Sequence, residues 1–428
     1  MFDMTAIDIL RLRRLAKEGS WIIIGQFASV VGALMLVRVL TDYLDPAQYG
    51  QLALSLTMAT LVNQVVMGGI AAGIGRFYSI AAEKRDLGGY LHASRQLMVY
   101  TTLAVVVIGT VLIVGLLFLG YLRWIGVAAA AMVFSVLSGY NSTLSGIQNA
   151  ARQRAIVAFH GGLDAWLKIL LAVGVMLWLG ISSTAVVIGY ACSSLLVTAS
   201  QLLFLRSTLP LQQTPSPGHQ LWMPQMWAYS WPFSTWGLFT WMQLVSDRWA
   251  LQAFASVVDV GQYAVLFQLG YTPIAMATAM AMSFIGPILY QRSGDATNHA
   301  RNANVHQLAW RMVQLALMLT LLGFAATFFM HVWLFNFLVA PEYRRSSYLL
   351  PWIVLAGGVF SAGQLLALKL MSEMKSASMS TAKIVTALLG ILFNVAGAGL
   401  AGLPGVVGAQ IAFSVIYLVW MSLLARRS

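Results

Sequence analysis

Apolar runs of about twenty residues recur along the whole chain, separated by short polar turns, and each suits a helix crossing a hydrocarbon layer roughly 30 Å thick. The runs fall near residues 20–40, 50–75, 96–119, 124–148, 157–179, 184–205, 228–249, 261–289, 310–332, 349–370, 384–402 and 405–425. Hydropathy thus predicts about twelve membrane-spanning helices. Stretches such as AVVVIGTVLIVGLLFLG show no period-two alternation, which excludes the lipid-out, lumen-in pattern of a membrane β-barrel. The expected class is therefore an all-α integral membrane protein.

Composition strengthens this reading. The chain has 428 residues, 59% of them hydrophobic and only 9% charged, with a mean hydropathy of +0.79. A net charge of +12 first suggests a polyanion partner, but the placement of the charges decides otherwise. With the N-terminus inside, most of the 25 basic residues lie on inner segments, among them Arg11, Arg13, Arg14, Lys17, Arg76, Lys84, Arg85, Arg95, Arg152, Arg154, Arg426 and Arg427. The outer loops hold only Arg123, Arg344 and Arg345. That is the positive-inside bias, so both termini are expected in the cytoplasm and no nucleic-acid partner is needed. Residues 1–19 form a basic interfacial segment rather than a cleaved signal. Cys192 is the single cysteine, which rules out an intrachain disulfide or a cysteine metal site.

A phrase near the first outer turn, VRVLTDYLDPAQYGQLAL, returns later as SDRWALQAFASVVDVGQYAVLF. Ser20-Trp21 and Ser230-Trp231, Arg38 and Arg248, and Gly50-Gln51 and Gly261-Gln262 are each about 210 residues apart, roughly half the chain. Two halves of about six helices follow: an N-lobe over 20–205 and a C-lobe over 228–428, related by a pseudo-two-fold axis along the membrane normal. Residues 206–227, with four prolines, read as a cytoplasmic linker whose HQLWMPQMW end has tryptophans suited to the bilayer surface.

Arg38 with DPAQYG, GGIAAGIGR, SDR, VGQYA and LVAPEYRRSSYLLPWIVLAG together resemble the polysaccharide-transport branch of the MOP superfamily. That branch includes the Wzx-type O-antigen and exopolysaccharide flippases and is related to the MATE multidrug exporters. The resemblance implies a two-lobed, twelve-helix transporter of the bacterial inner membrane. Such a protein moves undecaprenyl-pyrophosphate-linked oligosaccharide from the inner to the outer leaflet by alternating access, for surface polysaccharide synthesis. It also implies a polysaccharide polymerase and a chain-length regulator as partners, beside membrane lipids.

Ionisable residues inside spans are unfavourable by about 2.5–3.5 kcal/mol each on insertion scales, so each calls for a role. Arg38 and Arg248 lie near the outer ends of spans one and seven. They either snorkel to lipid headgroups or face the cavity mouth, where a planar guanidinium binds pyrophosphate in a bidentate manner. Asp247 is placed to hold Arg248 in the absence of substrate. Lys168 lies near the midplane with Asp164 one turn earlier, and the pair either orders helix five or sets a cationic cavity wall, the second being favoured. Asp164 is also a candidate for coupling to a proton or sodium gradient. Lys369 and Glu373, at the inner end of span ten, are expected to snorkel, with Lys369 ranked last among the cationic candidates. Sugar-contact candidates are Asn63, Gln64, Tyr140, Asn141, Gln243, Gln268 and Tyr271, each of which would otherwise make an interhelical hydrogen bond. Gly69 and Gly73 fit a close helix contact better than a site.

No cofactor or metal is expected. The six histidines lack ligand spacing, and no nucleotide-binding glycine loop is present. The outer segments around 250–260 and 333–348 carry no acid-base cluster, which argues against a membrane polymerase or ligase and against catalysis generally. An ion-coupled exporter of organic cations remains the main alternative, and a purely structural role would leave Lys168 without a purpose.

Overall fold

The computed structural model describes residues 6–208, 222–293, 299–372 and 376–426. Residues 1–5 of the basic segment, 209–221 of the linker, and Glu373 and Lys375 lie outside the described residues. The described chain is almost entirely helical, and ten of its helices are long and apolar enough to cross a membrane. The last two expected spans lie within Ser376–Arg426 as two helices that part at Gly402, where the backbone leaves the helical conformation with a φ of 60°, in the left-handed region that favours glycine. The helix Trp222–Phe254 is 33 residues long but is absent from those ten. Its many tryptophans and polar residues lower its hydropathy, and it begins within the stretch expected to be linker.

The contacts divide the chain into two compact units, residues 1–36 with 55–241 and residues 37–54 with 242–428. The helices are α1 (Ala6–Tyr43), α2 (Pro46–Leu61), α3 (Gly68–Glu83), α4 (Leu87–Phe118), α5 (Leu122–Ala150), α6 (Arg154–Leu179), α7 (Ser183–Thr208), α8 (Trp222–Phe254), α9 (Val257–Ser293), α10 (His299–Leu338), α11 (Leu350–Ser372) and α12 (Ser376–Arg426).

In the first unit the part of α2 from Ser55 onward runs into α3 through a π-helical turn, Val62–Met67, a distortion that frequently marks functional sites. Ile74, Tyr90, Leu97, Met132 and Met226 build its core where α3, α4, α5 and α8 meet. The GGIAAG segment is the contact it was expected to be. A Cβ at Gly69 would collide with Ser234, one at Gly73 with Ser230, and one at Gly237 with the Gln64 carbonyl, so α8 lies nearly backbone to backbone on α3 and the π turn. The end of this seam is held by Trp222, which is buried instead of lying on the bilayer surface. Its Nε1 donates to Asp86 Oδ2 at 2.8 Å, and Asp86 Oδ1 caps α4 by accepting from Gly89 N. Trp222→Phe keeps the ring but removes the donor, and is expected to destabilise this unit by about 1.5–3 kcal/mol, the range for a hydrogen bond to a charged group. Thermal unfolding in detergent measures it.

In the second unit α11 is central. Its apolar window is 83% buried, whereas that of α10 is 6% buried and faces outward. Ala362, Leu366, Tyr417 and Met421 form the core between α11 and α12. Residues 37–54 join this unit through the APEYRRSSY motif: Tyr343 Oη donates to Leu44 O at 2.7 Å, Ala340 N donates to Thr41 Oγ1, and the Tyr343 ring meets Tyr49 edge-on at 5.8 Å.

The repeated phrase now has a physical explanation. Each copy starts a helix with its own cap: Asp45 Oδ1 accepts from Gln48 N at α2, and at α9 Ser256 Oγ accepts from Asp259 N while donating its hydroxyl to Asp259 Oδ2. Each copy then supplies the glycine on which the two helices cross. A Cβ on Gly50 would strike the Val257 carbonyl, and one on Gly261 would strike the Pro46 carbonyl.

Candidate functional site

In the second unit a polar cluster forms inside the helical layer around Asp247 of α8, which is 1% exposed. Its Oδ1 accepts from Arg248 N at 2.7 Å and from Arg248 Nη1 at 3.1 Å. Its Oδ2 accepts from Tyr263 Oη at 2.6 Å and from Gln410 Nε2 at 3.3 Å. Four donors thus saturate the carboxylate, which is how a buried charge is tolerated. Arg248 differs in this respect. Among the described residues only Nη1 of its side chain is engaged, on Asp247 and on Leu244 O, while the guanidinium carbon lies 4.6 Å from the Phe267 ring centre. Phe267 in turn stacks on Tyr271 at 4.4 Å. The arginine is therefore oriented by an aromatic platform and an acid, with donors left over.

Gln243, Asp247, Phe267, Tyr271, Asn394 and Gln410 line a cavity of about 10 Å³ here, room for one water-sized species. Asn394 Nδ2 donates to Ser246 Oγ at 2.9 Å, yet its buried Oδ1 has no hydrogen-bond partner among the described residues. Gln268, one turn before Thr272 on α9, instead accepts from Tyr49 Oη at 2.5 Å.

In the first unit Lys168 and Asp164 of α6 form an ion pair at 2.5 Å, with side chains 22% and 25% exposed. Ser193 of α7 donates to Asp164 Oδ1 at 3.3 Å, and Lys168 Nζ lies 5.5 Å from the Phe134 ring centre on α5. The pair therefore joins three helices. Asn141 of α5 bonds to α7 twice, donating to Ser194 O and accepting from Thr198 Oγ1, and Tyr140 Oη meets Thr102 Oγ1 at 3.1 Å. Asn63 in the π turn donates to Ser138 Oγ at 2.8 Å, but its Oδ1 and Gln64 Oε1 are buried with no hydrogen-bond partner among the described residues.

Two candidates stand in unexpected surroundings. Arg38 is paired with Asp42, one turn on, at 2.6 Å, a partner that was not anticipated. Lys369 does not snorkel: it is fully buried, and its Nζ donates to Ala425 O at 2.9 Å near the C-terminal end of α12, where a cation complements the helix dipole. Tyr263, Asn394, Gln410 and Ser193 join the two clusters without having been singled out. The signal for Asn394 and Gln410 was a lone amide within LLGILFNVAGAG and GVVGAQIAFS.

No family model matches the chain, and no curated protein matches it. Solved structures do. An inward-facing multidrug resistance MATE family transporter of the MOP superfamily aligns at 14% identity with a TM-score of 0.67, over 95% of this chain and 98% of that one. The lipid II flippase MurJ in an inward closed conformation aligns at 13% identity with a TM-score of 0.71, over 95% and 87%. A MOP superfamily transporter from Pyrococcus furiosus, described as having a binding pocket of reverse polarity, aligns at 13% with a TM-score of 0.57 over 96% of each chain. The chain has the two-lobed, all-helical fold that these MATE transporters and MurJ share.

Proposed function

We propose that this protein carries a lipid with an anionic, sugar-bearing headgroup across the bacterial inner membrane, from the inner to the outer leaflet, by alternating access. The substrate class is an undecaprenyl-pyrophosphate-linked oligosaccharide destined for surface polysaccharide. The observation that carries this reading is the imbalance at Asp247 and Arg248. The acid's oxygens are fully engaged, whereas the arginine keeps unengaged donors beside an aromatic platform, so the cluster offers hydrogen bonds and positive charge to an anion. Lys168 plays the corresponding part in the first unit, held ready by Asp164. Asn63 and Gln64, with unmatched acceptor oxygens, suit sugar hydroxyls. Asp164, a quarter exposed beside Lys168, is the candidate site for a coupling ion, a proton or sodium. Polymerase and chain-length regulator act downstream of the delivered lipid.

The second reading, export of organic cations, draws on Phe267, Tyr271 and Phe413 lining the same cavity, since aromatic walls attract cations. The saturated carboxylate weighs against it. Proteoliposomes discriminate: the wild type is expected to move a labelled undecaprenyl-pyrophosphate oligosaccharide, with the rate falling about tenfold or more in Arg248→Gln, the effect of losing one charge-assisted contact of roughly 1.5–3 kcal/mol. Lys168→Leu should act in the same direction. Expulsion of organic cations without lipid movement would establish the exporter.

A further inference from the structure

We propose that a groove of the first unit, between the π turn with α3, the middle of α4 and the first turns of α8, holds part of the polyisoprenyl chain of the transported lipid. The inference rests on the function proposed above and adds where the tail lies while the headgroup moves.

The groove measures about 980 Å³, at the top of the roughly 300–1,000 Å³ range of small-molecule sites. Val66, Ile70, Ala104, Ile108, Met223 and Trp227 make its walls apolar. The hydroxyl of Thr101, which also lines it, is spent on Leu97 O at 2.7 Å. Tyr100, Ile108 and Trp227 are exposed along its edge, so the slot opens sideways at membrane depth. It suits a hydrocarbon chain and offers little to a polar solute.

Depth and charge select which chain. Along α4 the lining runs from Gln96 to Ile108, about 18 Å at 1.5 Å per residue, whereas half of a roughly 30 Å hydrocarbon core is about 15 Å. The acyl chain of a phospholipid ends near the midplane, while a long polyisoprenyl chain continues past it. One end of the groove is formed by Met223 and Pro224, next to Trp222, whose ring centre lies 5.4 Å from Lys84 Nζ. Lys84, Arg85 and Arg95 are exposed here. Of the neighbouring acids, Glu83 is exposed, and Asp86 is occupied by Gly89 N and Trp222 Nε1. A basic rim at the mouth of an apolar slot matches a lipid whose anionic head precedes a long tail. The apolar groove of about 430 Å³ between α9, α10 and α11 serves as an internal control for ordinary bilayer lipid.

The test uses a diazirine-bearing C55 polyisoprenyl diphosphate in proteoliposomes of phosphatidylethanolamine and phosphatidylglycerol, with adducts mapped by mass spectrometry. The expected result is labelling of α4 and α8 groove residues that excess unlabelled C55 diphosphate displaces and added phospholipid does not. Ala104→Trp fills the slot from an exposed position and should lower that labelling at least about tenfold, a loss of roughly 1.4 kcal/mol. Ile108→Trp is a second filling variant, and both should unfold at wild-type temperature. Displacement by phospholipid, or equal labelling of the α9–α11 groove, overturns the inference. Transbilayer movement of the lipid-linked sugar is scored separately. Movement with unspecific labelling sinks the groove alone, whereas no movement by the wild type sinks the proposed function and this inference with it.

Discussion

Gly261→Ala is expected to remove most of the folded protein, lowering stability by about 3 kcal/mol or more, the upper part of the overpacking range. Alanine is the better helix former by about 1 kcal/mol, so helix propensity alone predicts the opposite sign. The crossing decides the outcome. The added Cβ would strike the Pro46 carbonyl and lie about 3.0 Å from Gly50 N, and these are backbone atoms at the capped start of α2 that have no rotamer by which to retreat. Gly408→Ala in α12 is the matched control, because a Cβ there meets nothing within 4 Å. Thermal unfolding and monodispersity in detergent should separate the two, with Gly408→Ala unchanged or slightly more stable. Gly50→Ala should resemble Gly261→Ala, and the double variant should lose much less than the sum, since either Cβ alone already parts the same pair of helices. Equal unfolding temperatures for Gly261→Ala and Gly408→Ala would mean that α2 and α9 separate freely.

That crossing also shows what a sequence of this kind discloses. Spans were legible because twenty apolar residues in succession have few other uses, and the repeat was legible because its glycines and caps stand out against apolar runs. Hydropathy reports how deep a residue lies but says nothing about which way it faces around the helix. For that reason Asp164–Lys168 was legible as a pair, being one turn apart on one helix, whereas Asp247 with Gln410, 163 residues later, was not. Arg38–Asp42 has the same local spacing as Asp164–Lys168 and could have been read in the same way. Lys369 was misjudged for a related reason: its position near a span end suggests an interface, but its direction is inward, to the end of α12. Tryptophan scores poorly on hydropathy although it packs well, so α8 looked like linker over its first turn, where Trp222 is in fact a buried anchor.

Asp247→Ala is expected to be the most damaging single change at the candidate site, destabilising by about 3–5 kcal/mol, the range for stranding one partner of a buried pair. The substitution takes the acceptor from the Tyr263 hydroxyl and the Gln410 amide at once and leaves Arg248 without its counter-charge, its Nη1 keeping only Leu244 O. Arg248 is only 14% exposed, so water replaces the lost acceptor poorly. Asp247→Asn should also fail to restore the site, since its NH₂ would face donors at Tyr263 or Gln410. The informative variant is the double, Asp247→Ala with Arg248→Met. Replacing a buried ion pair by apolar side chains is often neutral for stability, so the double should unfold later than Asp247→Ala alone, while lipid movement stays lost because the cation is gone. If the double is as unstable as the single, Asp247 serves chiefly to satisfy Tyr263 and Gln410, and Arg248 is held in place by Phe267 and Leu244 O instead. The guanidinium would then be free to follow an anion without first leaving its acid.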